Sequence, residues 1–226
     1  MSEPLAELGL SGLRLIHKGA EAHIYEGGWL GRPVVVKHRA PKAYRHPELD
    51  KAIRARRTAR EAQALRRAKE AGVPTPVVYL VDLATATIVM EKVQGRRLKE
   101  LVAEQGRAVV PLFTELGRLV GRLHKAGLVH NDITTSNVIV APDGSLVLLD
   151  FGLCEFSVEL EKRGVDLHLL GRVLESTHHE VAEEAYQAFL DGYRAELGPK
   201  AEEAIERARE IRLRGRYVAE RRRGER

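Results

Sequence analysis

His130-Asn131-Asp132-Ile133-Thr134-Thr135-Ser136-Asn137 is a polar octad set between two strongly apolar patterns. On its N-terminal side Leu112, Leu116, Leu119, Val120 and Leu123 form one stripe at helical spacing, predicting an amphipathic helix that stops near Gly127. On its C-terminal side Val138-Ile139-Val140, the turn Pro142-Asp143-Gly144-Ser145 and Leu146-Val147-Leu148-Leu149 predict a β-hairpin. The octad is therefore a loop held by rigid elements at both ends. Asp132 can accept a proton or orient an attacking oxygen, and Asn137 can supply a neutral oxygen to a metal. The second hairpin strand leads into Asp150-Phe151-Gly152. Asp150 is placed there to hold Mg²⁺ between nucleotide phosphates, and Gly152 permits a sharp turn. Phosphoryl transfer depends on positioning and charge neutralisation, and this set supplies the metal-binding half.

The positive half lies upstream. Residues 13–18 and 22–26 read as strands around the turn Gly19-Ala20-Glu21, and Val34-Val35-Val36 reads as a third strand ending at Lys37. His46-Pro47 opens an Arg- and Ala-rich helix over about 48–70, closed by Gly72 at the C-cap with Pro74 beyond. Strands 77–83 and 86–91 follow. Lys37 can reach α- and β-phosphates, and Glu61 in the helix can hold it. The competing reading of Glu61 is a surface partner for one of its Arg neighbours. Beyond Gly95 the pattern becomes helical, with further helices near 165–176 and 180–197 and an Arg-rich end. The expected architecture is α+β: a small β-rich lobe of five strands and one helix, then a reduced, mostly helical lobe. We divide the chain into a 1–12 extension, lobes at 13–93 and 94–210, and a basic 211–226 tail.

Composition is that of a soluble globular protein, with 44% apolar and 31% charged residues and one cysteine, Cys154. A disulfide framework and a cysteine-based zinc site are excluded, which favours a reducing compartment. No apolar run is long enough to span a bilayer, and MSEPLAE does not read as a signal peptide. The net charge of +5 is unevenly spread. Lys37–Glu70 carries twelve Lys/Arg against four carboxylates, and Arg207–Arg226 carries nine Arg against three. Two basic segments on an acidic remainder suit a polyanion such as nucleic acid. Arg212, Arg214 and Arg216, alternating around Leu213 and Gly215, read as an extended or flexible strand reaching phosphates. Arg221-Arg222-Arg223 also reads as a nuclear-import signal. Met90 reads either as a wall of an adenine pocket or as plain core. His178-His179 reads as surface, and Cys154 as a buried filler.

The ordered series of strand Lys, helix Glu, HxD-x4-N loop, hairpin and DFG resembles the protein kinases. More narrowly it resembles the small atypical kinase of the KEOPS tRNA-modifying complex, the tumour-suppressor-related protein kinase family. The narrow match rests on Lys18-Gly19-Ala20-Glu21-Ala22, Val36-Lys37-His38-Arg39, Tyr44-Arg45-His46-Pro47, the DITTSN run, Asp150-Phe151-Gly152-Leu153, Gly164-Val165-Asp166-Leu167 and Ile211-Arg212-Leu213-Arg214-Gly215-Arg216. It covers about residues 15–216.

The resemblance implies a Mg²⁺- and ATP-dependent kinase or ATPase subunit. That assembly installs threonylcarbamoyl on adenosine 37 of ANN-decoding tRNAs. Lys37 and Glu61 hold phosphates, Asn137 and Asp150 bind Mg²⁺, and Asp132 orients the attacking oxygen. Lys18, Gly19, Ala20, Glu21, Ala22 and Ile24 cover the nucleotide, and Met90, Glu91 and Val93 receive the adenine. Arg212, Arg214 and Arg216 contact tRNA. The implied partners are the threonylcarbamoyl-transferase subunit and a small regulatory subunit, and the location is the cytoplasm, with the nucleus added for a eukaryotic source. A free-standing serine/threonine protein kinase is the alternative. A small-molecule kinase of the aminoglycoside type needs a larger insertion than 226 residues hold, and a non-catalytic RNA scaffold has no use for the retained Lys37, Asp132, Asn137 and Asp150.

The chain departs from the kinase pattern in three places. KGAEA has one glycine where kinases have GxGxxG, so phosphate coverage is modified. Asn131 replaces the Arg that grips a phosphorylated activation loop. Only 13 residues separate Phe151 from Val165, and no APE motif follows, which removes the peptide platform.

Overall fold

A computed structural model describes residues 8–224, with side chains as far as Arg214. The chain folds as two compact units: Met1–Arg66 with Thr75–Gln94, and Arg67–Pro74 with Gly95–Arg226. The first seven residues of the 1–12 extension and the side chain of Arg216 lie outside the described residues.

The first unit is built on a five-stranded antiparallel sheet ordered β1-β2-β3-β5-β4. Its strands are β1 (Leu10–Lys18), β2 (His23–Trp29), β3 (Arg32–His38), β4 (Val78–Asp82) and β5 (Thr87–Glu91). Alternation decides which residues enter its core: Val34 and Val36 on β3 are fully buried and meet Val89, with Leu13, Trp29 and Tyr79 packed around them. The β2–β3 reversal uses Leu30 and Gly31, both at positive φ, which matches the twist of a two-residue hairpin.

Helix α1 (Pro47–Glu70) follows. Pro47 takes the first turn, where its missing N–H costs nothing. Thr58, Glu61, Leu65 and Ala68 form its buried face. The helix ends in a Schellman motif: Val73 N–H donates to Ala68 O and Gly72 N–H to Lys69 O, with Gly72 at φ 74°.

The second unit is mainly helical. After β6 (Arg96–Arg97) come α2 (Leu98–Gln105) and α3 (Val110–Lys125), then β7 (Leu128–Val129), β8 (Val138–Val140), β9 (Leu146–Leu148) and β10 (Glu155–Phe156). Helices α4 (Leu160–Thr177), α5 (Ala182–Leu197) and α6 (Lys200–Gly224) complete it. β6, β8 and β9 form one small sheet, and β7 pairs with β10. The amphipathic stripe on α3 buries Phe113, Leu116, Leu119, Val120 and Leu123. A Cβ on Gly117 would stand 1.9 Å from Phe189 O, and one on Gly192 1.8 Å from Thr114 O, so α3 and α5 touch backbone to backbone.

The α+β class read from sequence is the class observed. Two expectations are corrected. Arg212–Arg216 is not an extended strand: α6 runs unbroken to Gly224, and Arg212 and Arg214 pair with Glu175 and Glu161 at 2.7 and 2.8 Å. A long run of good helix formers with alternating charge outweighs one interior glycine. His178 is not at the surface, because the chain turns at the C-cap of α4 and points its ring inward at 6% exposure. Helix α2 leaves no clear mark in the sequence, its eight residues being too short to establish a period.

Candidate active site

In the first unit, Lys37 stands on β3 directly across from Ile24 on β2 and Ile88 on β5. Its Nζ donates to Glu61 Oε1 at 2.7 Å, and both side chains are buried. Glu61 is therefore the partner of the strand lysine and not a surface partner of its helix neighbours. Its second oxygen accepts from Arg39 Nη2 at 2.5 Å. Arg39 belongs to the VKHR motif, but nothing in the sequence points to its role. It is 3% exposed, its Nη1 donates to Thr58 Oγ1 at 3.4 Å, and its own carbonyl accepts from Arg54 Nη1 at 3.2 Å. One buried carboxylate thus serves two cations, an arrangement the low dielectric makes strong only because each charge has a directed partner.

The Lys18–Ala22 segment is a tight turn in which Gly19 N–H donates to Ala22 O at 3.0 Å. Lys42 Nζ donates to Ala20 O at 2.6 Å, and Arg57 pairs with Glu21. The hydrogen bond from Arg57 is the largest of the influences that hold the Glu21 carboxyl below its usual range. Met90 is buried at the end of β5. Glu91 closes the strand by a two-way bridge to Val77: its N–H donates to Val77 O at 2.8 Å, and its carboxylate accepts Val77 N–H at 3.0 Å.

In the second unit, the octad is organised from within and from below. Asn137 Nδ2 donates to Asp132 Oδ2 at 2.7 Å and to Asp132 O at 3.0 Å. This turns the amide so that its oxygen points away from the carboxylate. Leu149 N–H donates to Asn137 O at 2.8 Å, fastening the loop to the residue that precedes Asp150. Asp150 and Asn131 both have positive φ, at 52° and 63°, and short Asx side chains tolerate this best. Asp150 Oδ1 accepts Gly152 N–H at 3.1 Å.

The support from below is Asp166 of α4, fully buried. Its two oxygens accept the N–H groups of His130 at 2.7 Å and Asn131 at 2.6 Å, and His124 Nε2 lies 3.1 Å away. His124 Nδ1 meets Tyr193 OH at 2.8 Å. Burial pushes the Tyr193 phenol well up, so it stays protonated. His130 packs on Phe151 with ring centroids 4.7 Å apart, and its Nε2 meets Leu149 O at 3.1 Å. Burial pushes its imidazole down, opposed in part by the charge of Asp166. The sequence carried a signal for Asp166, an Asp at an apolar helical position, but its role needs the fold.

Among the described residues no cluster of three or more His, Cys, Asp or Glu could hold a metal by itself. A magnesium ion that keeps substrate phosphates and waters needs only one or two protein oxygens. The outward amide oxygen of Asn137 and the carboxylate of Asp150 fit that requirement. Cys154 is buried, as expected. No helix among the described residues is long and apolar enough to cross a membrane.

The family model for the RIO domain matches residues 35–162. The KEOPS complex subunit Bud32 of Pyrococcus abyssi is 46% identical over 213 residues, covering 91% of this chain and 96% of that protein. The EKC/KEOPS complex subunit Tp53rkb of Mus musculus is 39% identical over 221 residues, covering 93% and 90%. A probable bifunctional tRNA threonylcarbamoyladenosine biosynthesis protein of Methanothermobacter thermautotrophicus is 44% identical over 204 residues. The chain covers 36% of that longer relative. Among solved structures, the Rio2 kinase–ADP/Mg²⁺–phosphoaspartate complex from Chaetomium thermophilum shares the fold, with a TM-score of 0.64 over 92% of this chain and 74% of that one at 17% identity. With the RIO-domain match over residues 35–162 and identity to Bud32 along nearly the whole of both chains, this chain belongs to the Bud32 family of RIO-domain proteins.

Proposed function

We propose that the chain is a Mg-ATP-dependent ATPase and atypical serine/threonine kinase subunit of a KEOPS-type assembly, supporting threonylcarbamoyl modification of adenosine 37 in tRNA. The observation that carries the chemistry is the loop geometry: Asn137 grips Asp132 while its own carbonyl is tied to Leu149, next to Asp150. The assembly role rests on the names of the relatives; the partner in this reading is the threonylcarbamoyl-transferase subunit.

In this reading Lys37, held by Glu61, takes the nucleotide's α- and β-phosphates. The turn 18–22 with Ile24 covers the triphosphate, and the backbone of Glu91 and Val93 receives the adenine beside Met90. Asn137 and Asp150 hold Mg²⁺, which when bound neutralises charge on the phosphates. Asp132 accepts a hydrogen bond from the attacking water or hydroxyl and orients it in line with the γ-phosphorus. The basic α1 and the end of α6, with Arg212, Arg214 and Arg216, contact tRNA. A small regulatory subunit is the second partner, and the cytoplasm is the proposed location.

The test is steady-state ATP hydrolysis with Mg²⁺, by the chain alone and with the transferase partner and tRNA, each beside Asp132→Ala. Stimulation by partner and tRNA that disappears in Asp132→Ala supports the proposal. Phosphorylation of a protein substrate without any response to tRNA favours a free-standing kinase. ATP binding without turnover under any condition overturns the catalytic role of Asp132.

A further inference from the structure

We propose that His178 is a positioning residue for the Asp132–Asn137 loop, acting through a buried hydrogen bond to Thr135. The proposal rests on the reading of that loop as the metal- and nucleophile-orienting element.

His178 caps the C-terminus of α4, outside every motif that suggested a site. Its backbone is fixed on both sides: its N–H donates to Leu174 O at 2.8 Å, and its carbonyl accepts Val181 N–H at 3.0 Å. Leu174 and Val181 are buried, and the His178 ring turns inward with them. Nε2 lies 2.9 Å from Thr135 Oγ1, and Thr135 is 1% exposed. Burial is the larger influence pushing the imidazole down, with the charge of Lys99 adding to it. The ring is therefore neutral near pH 7, and one hydrogen bond joins its Nε2 to the threonine hydroxyl, the donor being set by the imidazole tautomer.

Thr135 opens the 3₁₀ turn Thr135–Asn137, in which Asn137 N–H donates to Thr134 O at 3.0 Å. The turn is closed internally by that one backbone bond; Leu149 N–H holds Asn137 O and Arg97 holds Ser136 O, and the side chain of Thr135 is what fixes its first residue. The rotation of the turn about its own axis decides where the Asn137 amide points. Asn137 must give Nδ2 to Asp132 and turn its oxygen outward, and a small roll of the turn spoils both. An apolar side chain at 135 could anchor the turn at the correct depth. A directional bond at that position also helps to set its azimuth, together with the Leu149 and Arg97 contacts on Asn137 and Ser136. Partners of this outer kind, which orient a metal-binding residue without touching the metal, typically change affinity or activity by about 10–100-fold when removed.

The experiment is a double-mutant cycle with Thr135→Val, which keeps shape and loses the hydroxyl, and His178→Phe. Thr135→Ser and His178→Gln serve as conservative variants. Two quantities are read on the full chain: Mn²⁺ affinity by electron paramagnetic resonance with a non-hydrolysable ATP analogue, and kcat for ATP hydrolysis with its Mg²⁺ half-saturation. Each disrupting variant should weaken Mn²⁺ binding and raise Mg²⁺ half-saturation about tenfold. The double variant should be no worse than either single, since one bond is shared. The Ser and Gln variants should restore most of the affinity. A folded Thr135→Val with wild-type Mn²⁺ affinity and kcat overturns the proposal, and so do purely additive losses. Thr135→Val carries the test if His178→Phe fails to fold. Asp132→Ala separates the two layers. Turnover surviving in it overturns the reading of the loop itself, whereas its loss beside an unaffected Thr135→Val removes only the role of His178.

Discussion

Arg39 holds the oxygen of Glu61 that Lys37 leaves, from two residues further along the chain, at 2.5 Å. Helix α1 is thereby tied to β3 and to the residue that follows it through two ion pairs on one buried carboxylate, and Arg54 adds a third tie through the Arg39 carbonyl.

Glu61→Gln leaves two buried cations facing a neutral amide, and breaking a buried pair from one side costs about 3–5 kcal/mol. Arg39→Met should cost less, because it removes a charge and leaves Lys37 its partner. Urea unfolding of both variants checks the order; Arg39→Met as damaging as Glu61→Gln would mean that Glu61 depends on Arg39 and not on Lys37.

Asp166 should matter as much as any residue of the proposed site. Asp166→Ala strands the N–H groups of His130 and Asn131 as well as His124, each buried unsatisfied group costing about 1–3 kcal/mol. The expected result is severe loss of stability. Hydrogen exchange at His130 and Asn131 should rise in the milder Asp166→Asn, and unchanged protection there would remove Asp166 as the support of the loop.

Gly117 and Gly192 test the packing of the helical unit. A methyl at either would collide with a backbone carbonyl that flexible side chains cannot yield for. Gly117→Ala and Gly192→Ala should each lower stability by about 3 kcal/mol, the upper end for overpacking, because two helix axes must separate. Thermal unfolding reads this directly, and a neutral result would show that α3 and α5 slide freely.

The pH dependence follows from buried imidazoles. Burial holds His38, His130 and His178 below their ordinary pKa of 6.5. The unfolded chain therefore takes up more protons than the folded one as pH falls below about 6.5, and stability falls with it. Above that pH the contribution is fully present. The urea midpoint should stay level between about pH 8 and 7 and drop between about 6.5 and 5. Glu21, Asp50 and Asp82 are held below their usual range by Arg57, Arg54 and Thr85 respectively, and they act in a separate window under about pH 4.5. A midpoint that rises on acidification would mean that the folded histidines are charged.

For the α6 arginines, charge reversal at Arg212 and Arg214 should weaken tRNA binding. It should also flatten the salt dependence, the slope falling by about one for each phosphate the arginines no longer neutralise. Glu161→Gln should act the other way, since it releases Arg207 and Arg214 from a shared carboxylate. Filter binding across a salt series checks both, and equal affinities would remove α6 from the RNA surface.

What the sequence determined by itself was local. The apolar run Val34-Val35-Val36, the stripe on α3, Pro47 and Gly72 as helix punctuation and the octad between helix and hairpin are short-range patterns, each fixed by backbone geometry over a few residues. The family resemblance followed from motifs in order. What only the tertiary structure decided were the pairings between distant segments: Arg39 with Glu61, Asp166 under His130 and Asn131, Tyr193 behind His124, and His178 on Thr135. Each joins residues whose sequence separation carries no period, and each is selected because a buried polar group must find a partner where water cannot reach. A histidine after a helix looks like surface until the fold covers it, and an Arg-rich end looks extended until neighbouring carboxylates favour the helix. Burial is a property of the whole chain, and so are the roles that depend on it.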